Sequence, residues 1–212
     1  MNILKKSVLT TALLATLPVS QTVFAEGPIS ANVALTSNYI FRGQTQNNED
    51  PALQGGFDFE HGSGFYLGVW GSNVDFGGDE STELDFYGGW GFDLGSVSLD
   101  LGVVLYRFFG GDDAGDSDIE EAYVGASAYG FDLYFYGGLD DATDAVELSY
   151  GFDITENVSL GFTIGDWDEI AEEYYSASLS GSGLVGLDWD VTIADSDVTD
   201  DTQVAFTISK SF

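Results

Sequence analysis

The chain of 212 residues carries 36 acidic residues against five basic ones, a formal net charge of −31, with 28 glycines, 15% aromatic residues and no cysteine. So negative a chain repels polyanions, which excludes nucleic acid as a partner, and the missing thiols exclude disulfide scaffolds, cysteine nucleophiles, iron–sulfur clusters and zinc ribbons. The aromatic content argues against disorder despite the charge, and the length suits one domain or one closed barrel.

Residues 1–25 begin with Lys5 and Lys6, run apolar from Val8 to Leu17 and end in Val23-Phe24-Ala25. These are the three regions of a secretory signal peptide, with cleavage expected after Ala25. The alternative is a membrane-anchor helix, but the uncharged apolar core falls short of the ~20 residues that span a bilayer. The expected mature domain is 26–212, in which only Arg42, Arg107 and Lys210 are basic. No later apolar run approaches the length of a spanning helix, so any membrane residence is expected to use strands.

From Ile29 onward the hydrophobic pattern has period two, the mark of strands with two unlike faces. The first predicted strand runs over 29–42, with Ile29, Ala31, Val33, Leu35, Ser37, Tyr39 and Phe41 on one face and Asn38 and Arg42 on the other. Leu53, Phe57 and Phe59 then alternate with Asp58, and Phe65, Leu67 and Val69 follow. Leu84, Phe86, Trp90 and Phe92 oppose Glu83 and Asp85, and Val97 to Leu105 oppose Ser98, Asp100, Gly102 and Tyr106. Further strands are predicted over 122–128, 133–139, 146–152, 158–164, 175–179, 185–193 and 204–212, which makes twelve.

The predicted connections also alternate. Those at 62–64, 93–95, 129–131, 153–157 and 181–183 are short, and those at 43–51, 73–81, 109–117, 140–144, 166–172 and 195–201 are longer. The longer set holds 19 acids in 46 residues and the short set three in 17, so the acidic loops fall at one end of the strands. That is the layout of an outer-membrane barrel, with short periplasmic turns and longer external loops. A soluble β-sandwich also alternates, but it buries its apolar faces and covers the outside with polar residues. Glycines such as Gly68, Gly102 and Gly161 on the polar face favour the barrel, since a sandwich surface would carry charged or β-branched residues there. Aromatics near strand ends (Tyr39, Phe41, Phe57, Phe59, Phe65, Trp90, Phe92, Tyr150, Phe152 and Trp189) suit interfacial girdles. Phe212 ends an alternating strand and is expected to be the signal that the barrel assembly machinery reads. The expected fold class is therefore all-β: a closed antiparallel transmembrane β-barrel of twelve strands, preceded by a cleaved signal peptide.

Within 37–76 the chain reads S-N-Y-I-F-R-G-Q-T-Q, D-P-A-L-Q-G-G-F-D-F and G-F-Y-L-G-V-W-G-S-N-V-D-F. This linked run resembles the TorF family of proposed porins from proteobacteria, most densely over the first three strands. The resemblance implies an outer-membrane barrel that passes small solutes, and it brings no catalytic or ligand residues.

Chemistry has little support in the sequence. The single histidine, His61, abuts a predicted turn, where a solvated role is expected, and a serine–histidine nucleophile needs a more elaborate setting. No cofactor is expected. The loop acids Asp112, Asp113, Asp116 and Asp118 are weak candidates for a hard cation such as calcium, because their spacing departs from the EF-hand pattern. Looser association of divalent cations, bridging to outer-membrane lipid and lipopolysaccharide, is the alternative.

The face opposite the apolar one is expected to line the lumen. Asn38, Arg42, Asp58, Glu83, Asp85 and Asp100 belong to it in the first half of the chain, with Tyr106 after them. Glu121, Tyr123, Tyr134, Tyr136, Glu147, Asp188 and Asp190 belong to it in the second. Rings of carboxylates favour cations and repel anions. Arg42 is expected to neutralise neighbouring carboxylates rather than select solutes. Arg107 has the lipid-facing parity and is expected to snorkel toward headgroups or follow a bulge. Twelve strands lie between the filled eight-stranded barrel and the open barrel of 16 to 18. The expected function is a narrow, cation-preferring channel for small polar solutes. The alternative is a non-conducting barrel that presents acidic loops to cations, partners or other cells.

Overall fold

Alternation over twelve segments has one outcome that leaves no unpaired edge: a sheet closed on itself. The computed structural model describes residues 28–111, 118–139, 142–168, 170 and 172–212. The predicted signal peptide and the loop acids Asp112, Asp113 and Asp116 lie outside them. The barrel strands of the first half are β1 (Ile29–Thr36), β4 (Ala52–Glu60), β5 (Phe65–Asn73), β6 (Thr82–Leu94), β7 (Val97–Phe109) and β8 (Ile119–Ala128). Those of the second are β9 (Phe131–Gly138), β10 (Ala145–Thr155), β11 (Val158–Trp167), β12 (Glu172–Leu184), β13 (Leu187–Ser196) and β14 (Gln203–Ser211). These twelve form one closed barrel in which each strand is antiparallel to both neighbours, and β1 meets both β4 and β14. Two further short strands, β2 (Ile40–Phe41) and β3 (Gln44–Thr45), pair only with each other.

The seam is held by pairs from Asn32 with Ser211 to Thr36 with Thr207. It continues to Phe212, whose backbone N–H donates to Ala31 O at 2.9 Å and whose carbonyl accepts from Ala31 N at 3.2 Å. The outer face is largely apolar: Val33, Leu35, Phe57, Phe86, Leu101, Val124, Phe135, Phe162, Ile193 and Phe206 are all exposed. Residues of opposite parity face inward and are mostly buried, so the polar core of this protein is its lumen. Aromatic pairs gather near the short turns, with Trp90 against Phe92, Phe131 against Tyr150 and Tyr150 against Phe152.

The structure corrects the sequence reading at four places. β1 ends at Thr36 rather than Arg42, so Tyr39 and Phe41 leave the wall and are not girdle aromatics. The connection after β1 folds into the barrel instead of standing outside it. Gly181–Gly183 is not a turn: a register shift between Gly181 and Leu184 carries β12 onward. The reversal falls at Val185-Gly186, where both residues have positive φ, the two-residue turn whose twist matches the flanking strands. Finally, Arg107 does not reach for headgroups. It pairs with Asp118, at 3.5 Å, and with Glu120.

Candidate functional site

The lumen is built from two devices, a wall of tyrosines laid over glycines and a hairpin folded across the bore. The first follows from strand register. Gly68 is opposite Tyr87, Gly89 opposite Tyr66, Gly102 opposite Tyr123, Gly125 opposite Tyr134 and Gly165 opposite Tyr174, all on the inward face. A Cβ added at any of these glycines would collide with the facing tyrosine. The missing side chain therefore lets each ring lie flat on the neighbouring backbone, the cross-strand rescue of glycine by an aromatic residue.

Lying flat, the rings bring their hydroxyls to the lumen carboxylates. Tyr66 Oη donates to Asp100 Oδ1 at 2.9 Å, and Tyr134 Oη donates to Asp100 Oδ2 at 3.4 Å. Tyr87 donates to Asp58, and Tyr174 Oη donates to Glu147 Oε2 at 3.0 Å. Tyr66 also meets the hydroxyl of Tyr123, whose ring lies beside Tyr134 and Tyr136. Carboxylates taken from water need such donors.

The second device is segment 37–51. Its core is the hairpin β2–β3, closed by Gln46 N donating to Tyr39 O at 2.7 Å and turning at Arg42-Gly43. Arg42 has φ +45° and Gly43 φ +80°, so the turn puts an arginine in the left-handed region, an uncommon place for a long side chain. Gly43 is required at the tip: besides its φ, a Cβ there would stand 2.7 Å from Asp195 O and 2.9 Å from Tyr174 Cβ. Asn47, fully buried, accepts from Tyr39 N at 2.9 Å, and Thr45 Oγ1 donates to Asn38 Oδ1 at 2.7 Å.

This hairpin spans the bore. Tyr39 packs edge-on against Trp70, and Phe41 against Tyr106 and Trp167, at centroid distances of 5.4, 5.8 and 5.6 Å. Arg42 Nη1 and Nη2 donate to the two oxygens of Glu121 at 2.7 and 2.9 Å. The same guanidinium lies 4.6 Å from the Tyr136 ring centroid and 4.8 Å from those of Phe41 and Trp167. Arg42 is 3% exposed and Glu121 0%, so water scarcely reaches this pair. Burial opposes the charged form of Arg42, but the charge and hydrogen bonds of Glu121, joined by Tyr106 and Tyr174, together outweigh it and hold the guanidinium pKa above its ordinary value. The two side chains form an ion pair with two parallel hydrogen bonds in an aromatic cage.

The comparisons with known proteins bear on this architecture. Residues 23–131 match a family described as "Bacterial protein of unknown function (Gcw_chp)". The chain belongs to that family. No curated protein matches it. Among solved structures, a KdgM porin is similar at TM-score 0.63 and 9% identity, covering 86% of this chain and 98% of that one. A KdgM porin in complex with disordered oligogalacturonate is similar at TM-score 0.61 and 9% identity, covering 87% and 97%. At this identity the likeness is one of fold: the Gcw_chp chain has the barrel architecture of these porins.

The predicted lumen residues fall into three groups. Asn38, Arg42, Tyr106, Glu121, Tyr136 and Glu147 surround the hairpin or belong to it; Asn38 Nδ2 donates to Gln203 Oε1 at 3.0 Å, and Tyr106 Oη donates to Glu121 Oε2 at 3.3 Å. Asp58, Asp100, Tyr123 and Tyr134 form the tyrosine-capped wall. Glu83 and Asp85 are buried on β6 beside Trp70 and Tyr106, Asp190 is buried on β13 with Thr192 Oγ1 donating to it at 2.6 Å, and Asp188 is half-buried near the short-turn mouth. Of the loop candidates, Asp118 pairs with Arg107 and accepts from Phe108 N at 3.0 Å. His61 sits in its turn with Nδ1 2.8 Å from Ser63 Oγ.

Sequence reasoning missed the acids at the short-turn mouth. Asp93, Asp132 and Asp153 share the inward parity, and each accepts from a serine across the strand: Ser98 at 2.7 Å, Ser127, and Ser159 at 2.8 Å. Asp58 opposite Ser30 and Asp188 opposite Ser209 repeat the arrangement by register. Asp93 and Asp153 lie in strands rather than in the turns that the sequence predicts; the pairing of Asp and Ser across three of the five short reversals was the signal available.

Proposed function

We propose that the chain is an outer-membrane diffusion channel for small polar solutes and that it prefers cations. The observation that carries this reading is the set of carboxylates Asp58, Asp93, Asp132, Asp153 and Asp188 around one mouth of a barrel whose outside is largely apolar. Asp93 and Asp153 are exposed and the other three half-buried, so the set stands in reach of solvent, unlike Asp85 and Asp100. Carboxylates so placed lower the entry cost of cations and raise that of anions. Among the described residues Arg42 is the sole basic side chain in the lumen, and Glu121 neutralises it. An anionic sugar chain such as the one bound by the KdgM neighbour therefore does not suit this bore. The resemblance of 37–76 to the TorF family of proposed porins supports the channel, though not its preference for cations.

The proposal takes residues 1–25 as the export signal, outer-membrane lipid and lipopolysaccharide as the surroundings, and Phe212 as the mark read by the assembly machinery. It assigns the long-loop acids a loose association with divalent cations.

The test is a reversal potential across a planar bilayer in a potassium chloride gradient. Wild type is expected to favour potassium. Asparagine at Asp58, Asp93, Asp132, Asp153 and Asp188 together should weaken that preference, and chloride selectivity of the wild type would overturn it. Fields from external loops are screened within about 8 Å at physiological ionic strength, so the mouth carboxylates should dominate over them.

A second reading has its own observation. The dry Arg42–Glu121 pair across the bore favours a barrel that does not conduct at rest.

A further inference from the structure

β1 and β4 are hydrogen-bonded neighbours, with Thr36 directly opposite Ala52. A two-residue turn would join them. Instead the chain makes a long excursion through the lumen, and the wall does not depend on it: every barrel strand has both of its strand neighbours without β2 or β3.

The excursion is organised as a body of its own. Tyr39 N to Asn47 Oδ1, Gln46 N to Tyr39 O and Thr45 Oγ1 to Asn38 Oδ1 are bonds within it. Its polar ties to the rest of the protein gather at the neck, where Asn38 meets Gln203, Ser37 meets Phe206 and Pro51 O accepts from Asn73 Nδ2 at 3.2 Å. Beyond the neck, Asp75 N donates to Gln46 O at 2.9 Å and Tyr39 bonds to Glu83. The charged tie is at the tip, where Arg42 grips Glu121. An arginine in a left-handed turn, held by one carboxylate and three ring faces, is strain kept in place by a latch.

We propose that segment 37–51 is a gate, latched shut by the Arg42–Glu121 pair, which moves as a unit about its neck at Thr36 and Ala52 to open the channel. The inference rests on the channel reading and adds its regulation. It also joins the two readings above, because a barrel dry at the latch then conducts once the latch lets go.

The test is conductance of purified, folded protein in planar bilayers, with heat-modifiable electrophoretic mobility as the check of folding. Removing Arg42 alone would strand a buried carboxylate, so the latch variant is the double substitution Arg42→Met with Glu121→Gln, which leaves no unpaired charge. The gate variant replaces residues 37–51 by Asn-Gly, the turn that the direct β1–β4 pairing accepts. Wild type is expected to conduct weakly, with brief openings. Both variants should conduct roughly tenfold more, the shift expected when a closed state loses a coupling of ordinary size. Equal conductance in all three would overturn the gate and leave the channel standing. Folded barrels that never conduct in any form would overturn the channel as well. An open gate variant beside a shut double variant would overturn the Arg42–Glu121 latch.

Discussion

Glycine 125 shows how a single residue works here. Its missing Cβ is the space that the Tyr134 ring occupies, and the position of that ring lets its hydroxyl reach Asp100. Gly125→Ala should push the ring into the bore, break that bond and cost about 1–3 kcal/mol, as overpacking of a filled site does. Gly62 faces open space, with nothing within 4 Å of a built Cβ, so Gly62→Ala should leave stability unchanged. Urea unfolding of the two variants in lipid vesicles measures the difference, and equal midpoints would mean that the ring adjusts without loss. Arg42 makes the opposite use of backbone freedom. It accepts a left-handed φ that glycine would take at no steric cost, and it gains the two hydrogen bonds to Glu121 and the aromatic cage.

Strands set the scale at which depth in the membrane matters. Leu101 lies within β7 and Leu94 at the end of β6, both on the apolar outside. Leu101→Arg should cost roughly 2–4 kcal/mol and Leu94→Arg about 0–1 kcal/mol, because the penalty for a charge falls from midplane to interface. Equal costs would mean that the apolar band does not sit in lipid. The twelve wall strands were legible in the sequence because a two-sided sheet imposes period two on every one of them, and parity then gave the inward face. The first hairpin was not. Tyr39 and Phe41 continue the alternation of β1 past Thr36, so the pattern has no break where the wall has one. The break lies in Arg42-Gly43, a two-residue reversal with arginine where asparagine or glycine is usual. The Gly-Ser-Gly at 181–183 misled in the other direction, since a strand can carry such residues through a bulge.

At the scale of the whole molecule, Phe212 adds two backbone bonds at the end of the seam that closes the barrel. Deleting Phe212 removes its two backbone bonds with Ala31 together with the exposed terminal ring. We expect less folded protein in the outer membrane and a lower temperature for loss of the heat-modifiable form; undiminished amounts after deletion would contradict both. The tyrosines over glycines have a wider consequence. Strand number fixes how far apart the walls of a barrel stand, but here much of the bore is filled by rings laid over glycine backbone. Each ring is one codon. Exchanging a tyrosine for serine would uncover glycine backbone and widen the passage by a side chain while leaving register, strand count and outer surface as they are. A barrel built this way can change what fits through it by single steps, each at the cost of a hydroxyl such as those that Tyr87 and Tyr174 lend to lumen carboxylates.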